Sequence, residues 1–424
     1  MGTATSTALT QGPEEHGVKL AARIGRLGTE SAFAVLAQAQ GLEAQGRSIV
    51  HLEIGEPDFP TPEHIVSAAA EALAAGYTHY VPAPGLPTLR ESVTAFLERT
   101  GRLRVDPGRV VVTPGAKPIM FFTILALCEA GDEVLYPEPG FPMYESIASF
   151  SGAHAVPIPL RESNAFRIDP EELERLVTPR TKLLILNSPH NPCGSSLSPA
   201  DCEAIASIAL RHDLIVLSDE VYWAIRYGTK HASVLDVDGM ADRTVLLDGW
   251  SKTYAMTGWR LGFGVFPPAL VEPVTRLVVN SVSCTSAFSQ IAAKAALDGP
   301  WNPVEAMVDE FRQRRDAMVD GLNRIPGVTC APPEGAFYVF PSIRSTGVPS
   351  AVLQSRLLEE AGVACLAGTA FGSWGEGYLR LSYANSLANI QRAISAIETF
   401  LANLDGPESG PATTTSTPPP AMAR

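Results

Sequence analysis

A lysine set among small and aromatic residues is the feature of this sequence that most strongly indicates chemistry. The segment DGWSKTYAMTGWRLGFG (248–264) follows a strand-like run and contains Lys252. A lysine in a desolvated pocket loses proton affinity and can attack an aldehyde as a free amine. Arg260, in the same segment, carries a planar fork of N–H groups that suits a phosphate dianion. A serine–lysine pair alone would indicate a surface lysine, but the whole segment favours a reactive amine.

A carboxylate at the end of an apolar run is the second candidate. LSDEVY (217–222) ends a predicted strand with Asp219, and Tyr222 follows shortly after. A carboxylate buried there needs a cationic partner, and a protonated pyridine nitrogen would serve while keeping its ring an electron sink. Tyr222 could then donate a hydrogen bond to a phenolic oxygen of that ring. The alternative role for Asp219 is to cap a helix.

Polar and aromatic side chains follow two more predicted strands. Asn191 in NSPHNPCG (187–194) could hydrogen-bond the same ring oxygen, although an Asn-Pro pair usually marks a plain turn. In YPEPGFPMY (136–144), Phe141 or Tyr144 could stack on the face of the ring. Packing in the core explains those two aromatic residues equally well.

The segment TPGAKP (113–118) has the pattern of a strand end, a tight turn and a helix start. The main-chain N–H groups of Gly115, Ala116 and Lys117 would converge there on an anion such as phosphate. The Lys117 side chain could meet a distal carboxylate of a substrate, or it could remain in solvent. Arg380, within YLRLSYAN (378–385), is costly to bury unless it binds an anion, and a substrate carboxylate would fit.

Short apolar runs that alternate with helical patterns must position these residues. The predicted strands are 109–113, 133–136, 182–187, 214–218 and 243–247, and the predicted helices include 118–131, 199–213 and 302–323. Buried strands that alternate with helices indicate an α/β fold with a mainly parallel sheet, which binds ligands at the carboxyl ends of its strands. A smaller α+β region follows, with strands near 335–341 and 378–384.

The predicted organisation is a large α/β domain and a small α+β domain between two tails. The predicted parts are a disordered tail over 1–17, an N-terminal segment over 18–62 that packs with the small domain, the large domain over 63–300, the small domain over 301–405 and a disordered tail over 406–424. The tails are small and polar, so they bury too little apolar surface to order themselves. We expect the small domain and residues 23–27 to cover the substrate.

The composition argues against several classes of protein. The chain is 46% hydrophobic and 18% charged, which suits a soluble globular enzyme with a large core. Its net charge of −13, without a block of lysine and arginine, argues against a nucleic-acid partner. Six scattered cysteines without a CxxC pair indicate reduced thiols rather than disulfides or a metal site. The sequence has neither a signal peptide nor an apolar run long enough to span a membrane, which favours the cytoplasm.

Together these motifs resemble those of the class I/II pyridoxal-phosphate-dependent aminotransferases, the aspartate-aminotransferase-like group of fold type I. The resemblance runs from about Gly55 to about Asn385, and its most specific parts are SKTYAMTGWRLG, SDEVY, HNPCG, GEPDF and YLRLSYAN. It implies an enzyme that binds pyridoxal 5'-phosphate and moves the α-amino group of an L-amino acid to a 2-oxo acid. It also implies a large domain with a mainly parallel mixed sheet flanked by helices, and a smaller α+β domain.

The resemblance assigns roles to individual residues. Lys252 resembles the lysine that forms a Schiff base with the cofactor and moves the substrate proton, with Asp219 and Tyr222 as its catalytic partners. The implied cofactor contacts are Gly115, Ala116, Lys117, Phe141, Asn191, Asp219, Tyr222, Ser251, Lys252, Arg260 and Tyr80, and the implied substrate contacts are Gly55, Asn191 and Arg380. Tyr80 matches a tyrosine that reaches the phosphate of the neighbouring subunit, so a homodimer with shared active sites is expected.

Three residues depart from the pattern of that family. Cys193 stands where the family has threonine, and Trp250 and Trp223 are bulky residues beside the Ser-Lys pair and Tyr222. Neutral drift at these positions is the simpler interpretation. Crowding of the site would instead leave room for another reaction on the same cofactor, either β- or γ-elimination and replacement or carbon–carbon bond formation in specialised metabolism. A non-enzymatic regulator is disfavoured, because the acidic chain has no basic DNA-binding module.

Overall fold

Twelve β-strands and thirteen α-helices occur in the part of the chain that the computed structural model describes, residues 18–228 and 230–404. The strands are β1 (Val50–His51), β2 (Val110–Thr113), β3 (Glu133–Glu138), β4 (His154–Pro159), β5 (Thr181–Asn187), β6 (Ile215–Asp219), β7 (Thr244–Gly249), β8 (Gly262–Val265), β9 (Tyr338–Val339), β10 (Val363–Ala364), β11 (Leu366–Ala367) and β12 (Leu379–Ser382). The helices are α1 (Ser31–Glu43), α2 (Glu63–Ala74), α3 (Pro87–Arg99), α4 (Lys117–Leu127), α5 (Met143–Ser151), α6 (Pro170–Leu176), α7 (Pro199–Arg211), α8 (Trp250–Thr253), α9 (Pro268–Ser281), α10 (Ala287–Asp298), α11 (Asn302–Asn323), α12 (Ser350–Ala361) and α13 (Leu387–Ala402). The tails predicted over 1–17 and 406–424 lie outside the described residues.

Seven strands form one mixed sheet in the order β2-β8-β7-β6-β5-β3-β4. Within this sheet, β8 runs in the direction opposite to the other six strands, which are all parallel to one another. Both faces of the sheet are covered, because Leu184 and Leu186 of β5 pack in one core cluster while Leu183 and Ile185 pack in another. The predicted fold class, a mainly parallel α/β sheet flanked by helices, is confirmed.

Each of the five strands predicted for the large domain is present, but two strands of the sheet were not predicted. β4, HAVPIP, contains two prolines, and it tolerates them because it lies at an edge of the sheet. β8, GFGV, is short and lies inside the segment that the sequence singled out for chemistry. The predicted helix over 302–323 matches α11 at both ends.

The smaller region contains two further sheets. β11, β12 and β9 form an antiparallel sheet, and the strands predicted near 335–341 and 378–384 contain β9 and β12. β1 pairs in parallel with β10, with Val50 opposite Val363. The N-terminal segment is therefore tied to the C-terminal region by a strand pair, which supports the predicted packing of 18–62 with the small domain. The domain boundaries themselves stay a prediction.

A buried ion cluster links the loop after α3 to the ends of two central strands. Arg102 donates to Asp248 at 2.6 Å and to Glu220 at 2.8 Å, and its guanidinium lies 4.3 Å from the centroid of a Trp223 ring. His231 also bonds the Glu220 carboxylate, at 2.7 Å. Since Glu220 follows β6 and Asp248 lies within β7, the cluster fixes the edge of the sheet at which these strands end.

The six cysteines are all free, and five of them are buried. Across residues 18–228 and 230–404, no cluster of three or more histidine, cysteine, aspartate or glutamate side chains could hold a metal ion. No helix in those same ranges is both long enough and apolar enough to cross a membrane.

Candidate active site

A cavity of about 510 Å³ lies at the carboxyl ends of β5, β6 and β7. The last residues of these three strands, Asn187, Asp219 and Gly249, all line it. The sequence-predicted site residues that line this cavity are Gly55, Ala116, Lys117, Phe141, Asn191, Asp219, Tyr222, Ser251, Lys252, Arg260 and Arg380. The fold therefore brings most of the predicted set together at the edge of the sheet where ligands are expected.

Lys252 lies in α8, directly after β7, and lines the cavity. Its Nζ donates a hydrogen bond to the main-chain carbonyl of Gly55 at 2.5 Å. Burial lowers the pKa of Lys252 to about 8; the Glu56 carboxylate opposes this shift and the Arg380 guanidinium adds to it. Roughly one-tenth of the side chain is therefore the neutral amine at pH 7 and about half at pH 8, and the neutral amine is the form that acts as a nucleophile or base.

Asp219, the last residue of β6, presents a buried carboxylate. Its Oδ2 accepts a hydrogen bond from the Tyr144 hydroxyl at 2.7 Å, and its Oδ1 accepts one from the Val221 N–H at 3.3 Å. Burial raises the pKa of Asp219 to about 6, although both hydrogen bonds favour the charged form. The carboxylate has hydrogen-bond donors but no ion-pair partner among the described residues, so it is suited to a cationic ligand atom.

The turn between β2 and α4 forms another wall of the site. Gly115 has a φ of +90°, and a Cβ atom there would lie 2.2 Å from Nη2 of Arg260, so glycine is required for the guanidinium to fit. The Gly115 N–H donates to the Thr113 carbonyl at 2.8 Å and is therefore already satisfied. The N–H groups of Ala116 and Lys117 begin α4, where the helix supplies no partner for them. Together with Arg260 they suit an anion.

Arg380, in β12, is a buried cation that lines the cavity. Its Nη1 donates to Oδ1 of Asn191 at 3.3 Å, and its Nη2 donates to the main-chain carbonyl of Glu53. Its Nε has no hydrogen-bond partner in the described part of the chain. The guanidinium also lies 4.5 Å from the centroid of the Tyr338 ring. A buried guanidinium held mainly by neutral groups is suited to bind a carboxylate.

Two buried tyrosines meet at the cavity wall. The hydroxyls of Tyr222 and Tyr338 lie 2.8 Å apart, and either could be the donor. Burial raises the pKa of Tyr222 well above its usual range, so its hydroxyl keeps its proton at neutral pH. A Cβ atom on Gly55 would lie 2.2 Å from the Tyr338 hydroxyl, which explains why a glycine stands there.

Two of the predicted site residues do not line the cavity. Gly115 lies behind Arg260, and Tyr80 is 88% exposed, consistent with an expected role that concerns a neighbouring subunit. Residues 23–27, which were expected to cover the substrate, do not line the cavity either. Glu30 and Phe33, which flank the first turn of α1, line it instead.

Several residues of the site are not predicted by the sequence, and four of them make or offer polar contacts in the cavity wall. Asn187 accepts a hydrogen bond from the Asn191 N–H at 2.8 Å and donates to the Asp219 carbonyl at 3.0 Å, and its place at the end of a predicted strand could have revealed it. Tyr338 lies in a predicted strand, but nothing marked its hydroxyl as functional. Tyr144 was considered only for stacking. Glu30 lies in a segment without any motif.

Neither Trp250 nor Trp223 lines the cavity, so the alternative in which these side chains crowd the site is not supported. Trp250 is buried and donates from Nε1 to the Ala293 carbonyl at 3.0 Å. Trp223 stacks on Trp301 with 5.8 Å between ring centroids. Cys193 is also buried, and burial raises the pKa of its thiol well above the usual value, so it is not a reactive thiolate.

The chain is similar in sequence to known aminotransferases. The family model for aminotransferase class I and II matches residues 47–397. The aspartate aminotransferase of Pyrococcus abyssi is 42% identical over 359 residues, which is 84% of this chain and 92% of that protein. The arginine–pyruvate transaminase AruH of Pseudomonas aeruginosa is 40% identical over 85% of this chain and 92% of its own length.

The structure of the chain is likewise similar to solved structures of aminotransferases. The crystal structure of the aspartate aminotransferase from Rhizobium meliloti matches with a TM-score of 0.88 and 34% identity, over 91% of this chain and 99% of that one. These relatives are named for transamination, which supports that reaction over elimination, replacement or carbon–carbon bond formation. The chain belongs to the class I and II aminotransferase family and is an aminotransferase of fold type I.

Proposed function

We propose that the cavity binds pyridoxal phosphate and that Lys252 attaches it and moves the substrate proton. One observation carries this proposal: a half-buried amine, a buried carboxylate without an ion-pair partner among the described residues and an anion-binding turn surround one cavity. These are the three groups that an aldehyde, a pyridinium nitrogen and a phosphate require. When bound, the cofactor acts as an electron sink that makes the α-hydrogen of an amino acid acidic.

The residues of the cavity fit the parts of this cofactor. Asp219 would pair with the pyridine nitrogen, since burial makes its carboxylate costly to ionise without a cation. Arg260 and the N–H groups of Ala116 and Lys117 would hold the phosphate, and Gly115 leaves the space that this arrangement needs. The remaining proposed cofactor contacts are Tyr222 and Asn191 to the ring oxygen, Phe141 to the ring face, and the hydroxyl of Ser251.

Lys252 is proposed to act as the general base and acid. With a pKa of about 8 it can be neutral at moderate pH and can accept a proton from the substrate α-carbon. The same nitrogen can then return that proton to the cofactor side. The Gly55 carbonyl, which accepts a hydrogen bond from Nζ at 2.5 Å, keeps the amine at the wall of the cavity.

Arg380 is proposed to bind the α-carboxylate of the substrate. Asn191 and the Glu53 carbonyl hold the guanidinium at the cavity wall, and each Nη has a second N–H that can be donated to a carboxylate. When the carboxylate is held in place, the direction of the Cα–H bond is also set. Proton transfer to Lys252 then needs no further reorientation of the substrate. Gly55 lines the same part of the cavity and completes the proposed clamp.

We further propose that the substrates are an L-amino acid and a 2-oxo acid, and that the enzyme is a cytoplasmic homodimer. Relatives named for aspartate and for arginine are nearly equally similar to this chain, so similarity alone does not select the side chain. The exposure of Tyr80 supports a role across a subunit interface. The six free cysteines agree with a reducing compartment.

Reduction of the cofactor-loaded protein with borohydride tests the proposed attachment. We expect peptide mass mapping to find the reduced cofactor on the peptide that contains Lys252, in one copy per chain. The matched control is Lys294, a lysine that forms a surface ion pair with Asp298 and should remain unmodified. Labelling of several lysines, or of any peptide without Lys252, would contradict the proposal.

A further inference from the structure

The outer wall of the cavity carries charged groups that neither the cofactor nor the α-carboxylate uses. They are Glu30, Lys117 and Glu56. The Lys117 ammonium contacts the Glu30 carboxylate directly, and Glu56 accepts a hydrogen bond from the Thr257 hydroxyl. Two carboxylates and one ammonium give these three groups together a net negative charge, at the wall of the cavity that the proposed substrate would enter.

Glu30 is held in this position by its place in the fold. It immediately precedes α1, where the helix dipole favours a negative charge. Its side chain is 20% exposed, whereas that of Lys117 is 50% exposed. Lys117 can therefore turn towards solvent on its flexible stem, while the carboxylate stays inside the cavity wall.

The Glu30 carboxylate also acts on Arg380, the proposed substrate-binding cation, and on Lys252, the proposed base. Burial lowers the pKa of Arg380 and of Lys252, and Glu30 opposes this effect on each of them. Glu30 lines the same cavity as Arg380 and Lys252, so it borders the space that the proposed substrate would occupy. A substrate side chain that carried a carboxylate would meet Glu30 there and would have to displace it from Lys117.

We propose, on the basis of the proposed function, that Glu30 is a specificity-determining residue that excludes amino acids with a side-chain carboxylate and admits neutral and basic ones. Glu30 masks the only lysine of the outer wall, so Lys117 does not serve as a receptor for a distal carboxylate. A basic side chain gains from the net negative wall, and a neutral one is unaffected by it. Repulsion between the Glu30 carboxylate and a side-chain carboxylate of the substrate is what disfavours acidic amino acids relative to neutral and basic ones.

The test measures kcat/KM for aspartate, leucine and arginine as donors, in the cofactor-loaded enzyme. We expect aspartate to react at least about tenfold less efficiently than the better of the other two, because like charges at contact distance cost more than the ~1.4 kcal/mol that a tenfold change requires. Glu30→Gln should raise the value for aspartate about tenfold, lower that for arginine and leave that for leucine within about twofold. The double variant Glu30→Gln/Lys117→Met should lose the gain for aspartate.

The control is Glu98→Gln, which removes the same charge from an exposed position on α3, outside the cavity. It should leave the order of the three donors unchanged. Equal efficiency of aspartate in the wild type, or no gain for aspartate in Glu30→Gln, would overturn this inference while leaving the proposed function intact. Failure of every donor would overturn the proposed function and this inference with it.

Discussion

Among single residues, the hydrogen bond from Tyr144 to Asp219 is the contact that most directly supports the proposed pairing of Asp219 with the pyridine nitrogen of the cofactor. It is 2.7 Å long and lies wholly within the protein, and it favours the charged form of a carboxylate that burial would otherwise protonate. Asp219 can hold a pyridinium nitrogen only while it is charged. Tyr144 therefore helps to keep Asp219 ionised at the pH at which Lys252 becomes a base.

Removing this hydroxyl should weaken cofactor binding. Hydrogen bonds to charged groups contribute ~1.5–3 kcal/mol, so Tyr144→Phe should raise the dissociation constant for pyridoxal phosphate by roughly tenfold or more. It should also move the acid limb of the binding profile to higher pH, since the Asp219 pKa rises. The control is Tyr136→Phe, which loses a buried bond to Glu138 instead. Equal effects of both variants in a binding titration would refute the role of Tyr144.

The Lys252 pKa makes cofactor capture dependent on pH. Lys252 has a lowered pKa of about 8, so its neutral form accumulates as pH rises through 8. Asp219 has a raised pKa of about 6, so its charged form is lost as pH falls through 6. The initial rate of capture by cofactor-free protein, followed by absorbance, should thus climb from about pH 6, reach half its maximum near pH 8 and level off above about pH 9. For a free lysine analogue, the rate of reaction with the cofactor should level off only above about pH 10. The same pH profile for the protein would contradict the lowered pKa of Lys252.

At the scale of elements, the buried cluster around Arg102 holds the strands that present the site. Arg102 bonds Glu220, which follows β6, and Asp248, which lies in β7. Asp219 and Lys252 are close in sequence to these two carboxylates. Displacing either strand end would therefore move a proposed catalytic group, so the cluster serves both stability and geometry.

Breaking the cluster should be costly. Arg102→Met leaves the buried Asp248 carboxylate without its cation and Glu220 with only His231, and breaking a buried ion pair reduces the free energy of unfolding by ~3–5 kcal/mol. Arg104→Met removes an exposed pair with Glu98 and should cost at most about 1 kcal/mol. Denaturant unfolding of the two variants measures the difference. Equal midpoints would show that Arg102 does not hold the strand ends.

The sequence was sufficient to predict the elements that carry the site but not every group within it. Apolar runs gave the central strands, and polar residues at their ends gave Asp219 and Asn191, because strand ends meet at one edge of a parallel sheet. β4 was missed because its prolines argue against a strand unless the sheet order shows an edge. Tyr338 and Glu30 approach the cavity only through tertiary packing, and no local pattern marks such an approach.

At the scale of the whole molecule, the proposed dimer predicts that each active site borrows Tyr80 from the other subunit. A heterodimer of one Tyr80→Phe subunit and one Lys252→Ala subunit keeps one complete site, so its cofactor affinity there should equal that of the wild type. A heterodimer of wild type with the double variant Tyr80→Phe/Lys252→Ala has no complete site. In this second heterodimer, the one site that still contains Lys252 should bind the cofactor roughly tenfold more weakly than a wild-type site, because it lacks the proposed hydrogen bond from Tyr80 to the charged phosphate. Identical cofactor affinities in the two heterodimers would contradict the proposal that each active site uses Tyr80 of the other subunit.

Transfer of labelled nitrogen tests the central claim most directly. The cofactor-loaded enzyme is given a 15N-labelled amino acid that reacts with it, together with an unlabelled 2-oxo acid, and the products are identified by mass spectrometry. We predict that the label appears on the carbon skeleton of the acceptor, that one 2-oxo acid forms for each nitrogen transferred, and that Lys252→Ala abolishes the transfer. Release of the label as ammonia, its retention on a donor with an altered side chain, or undiminished transfer by Lys252→Ala would contradict the account.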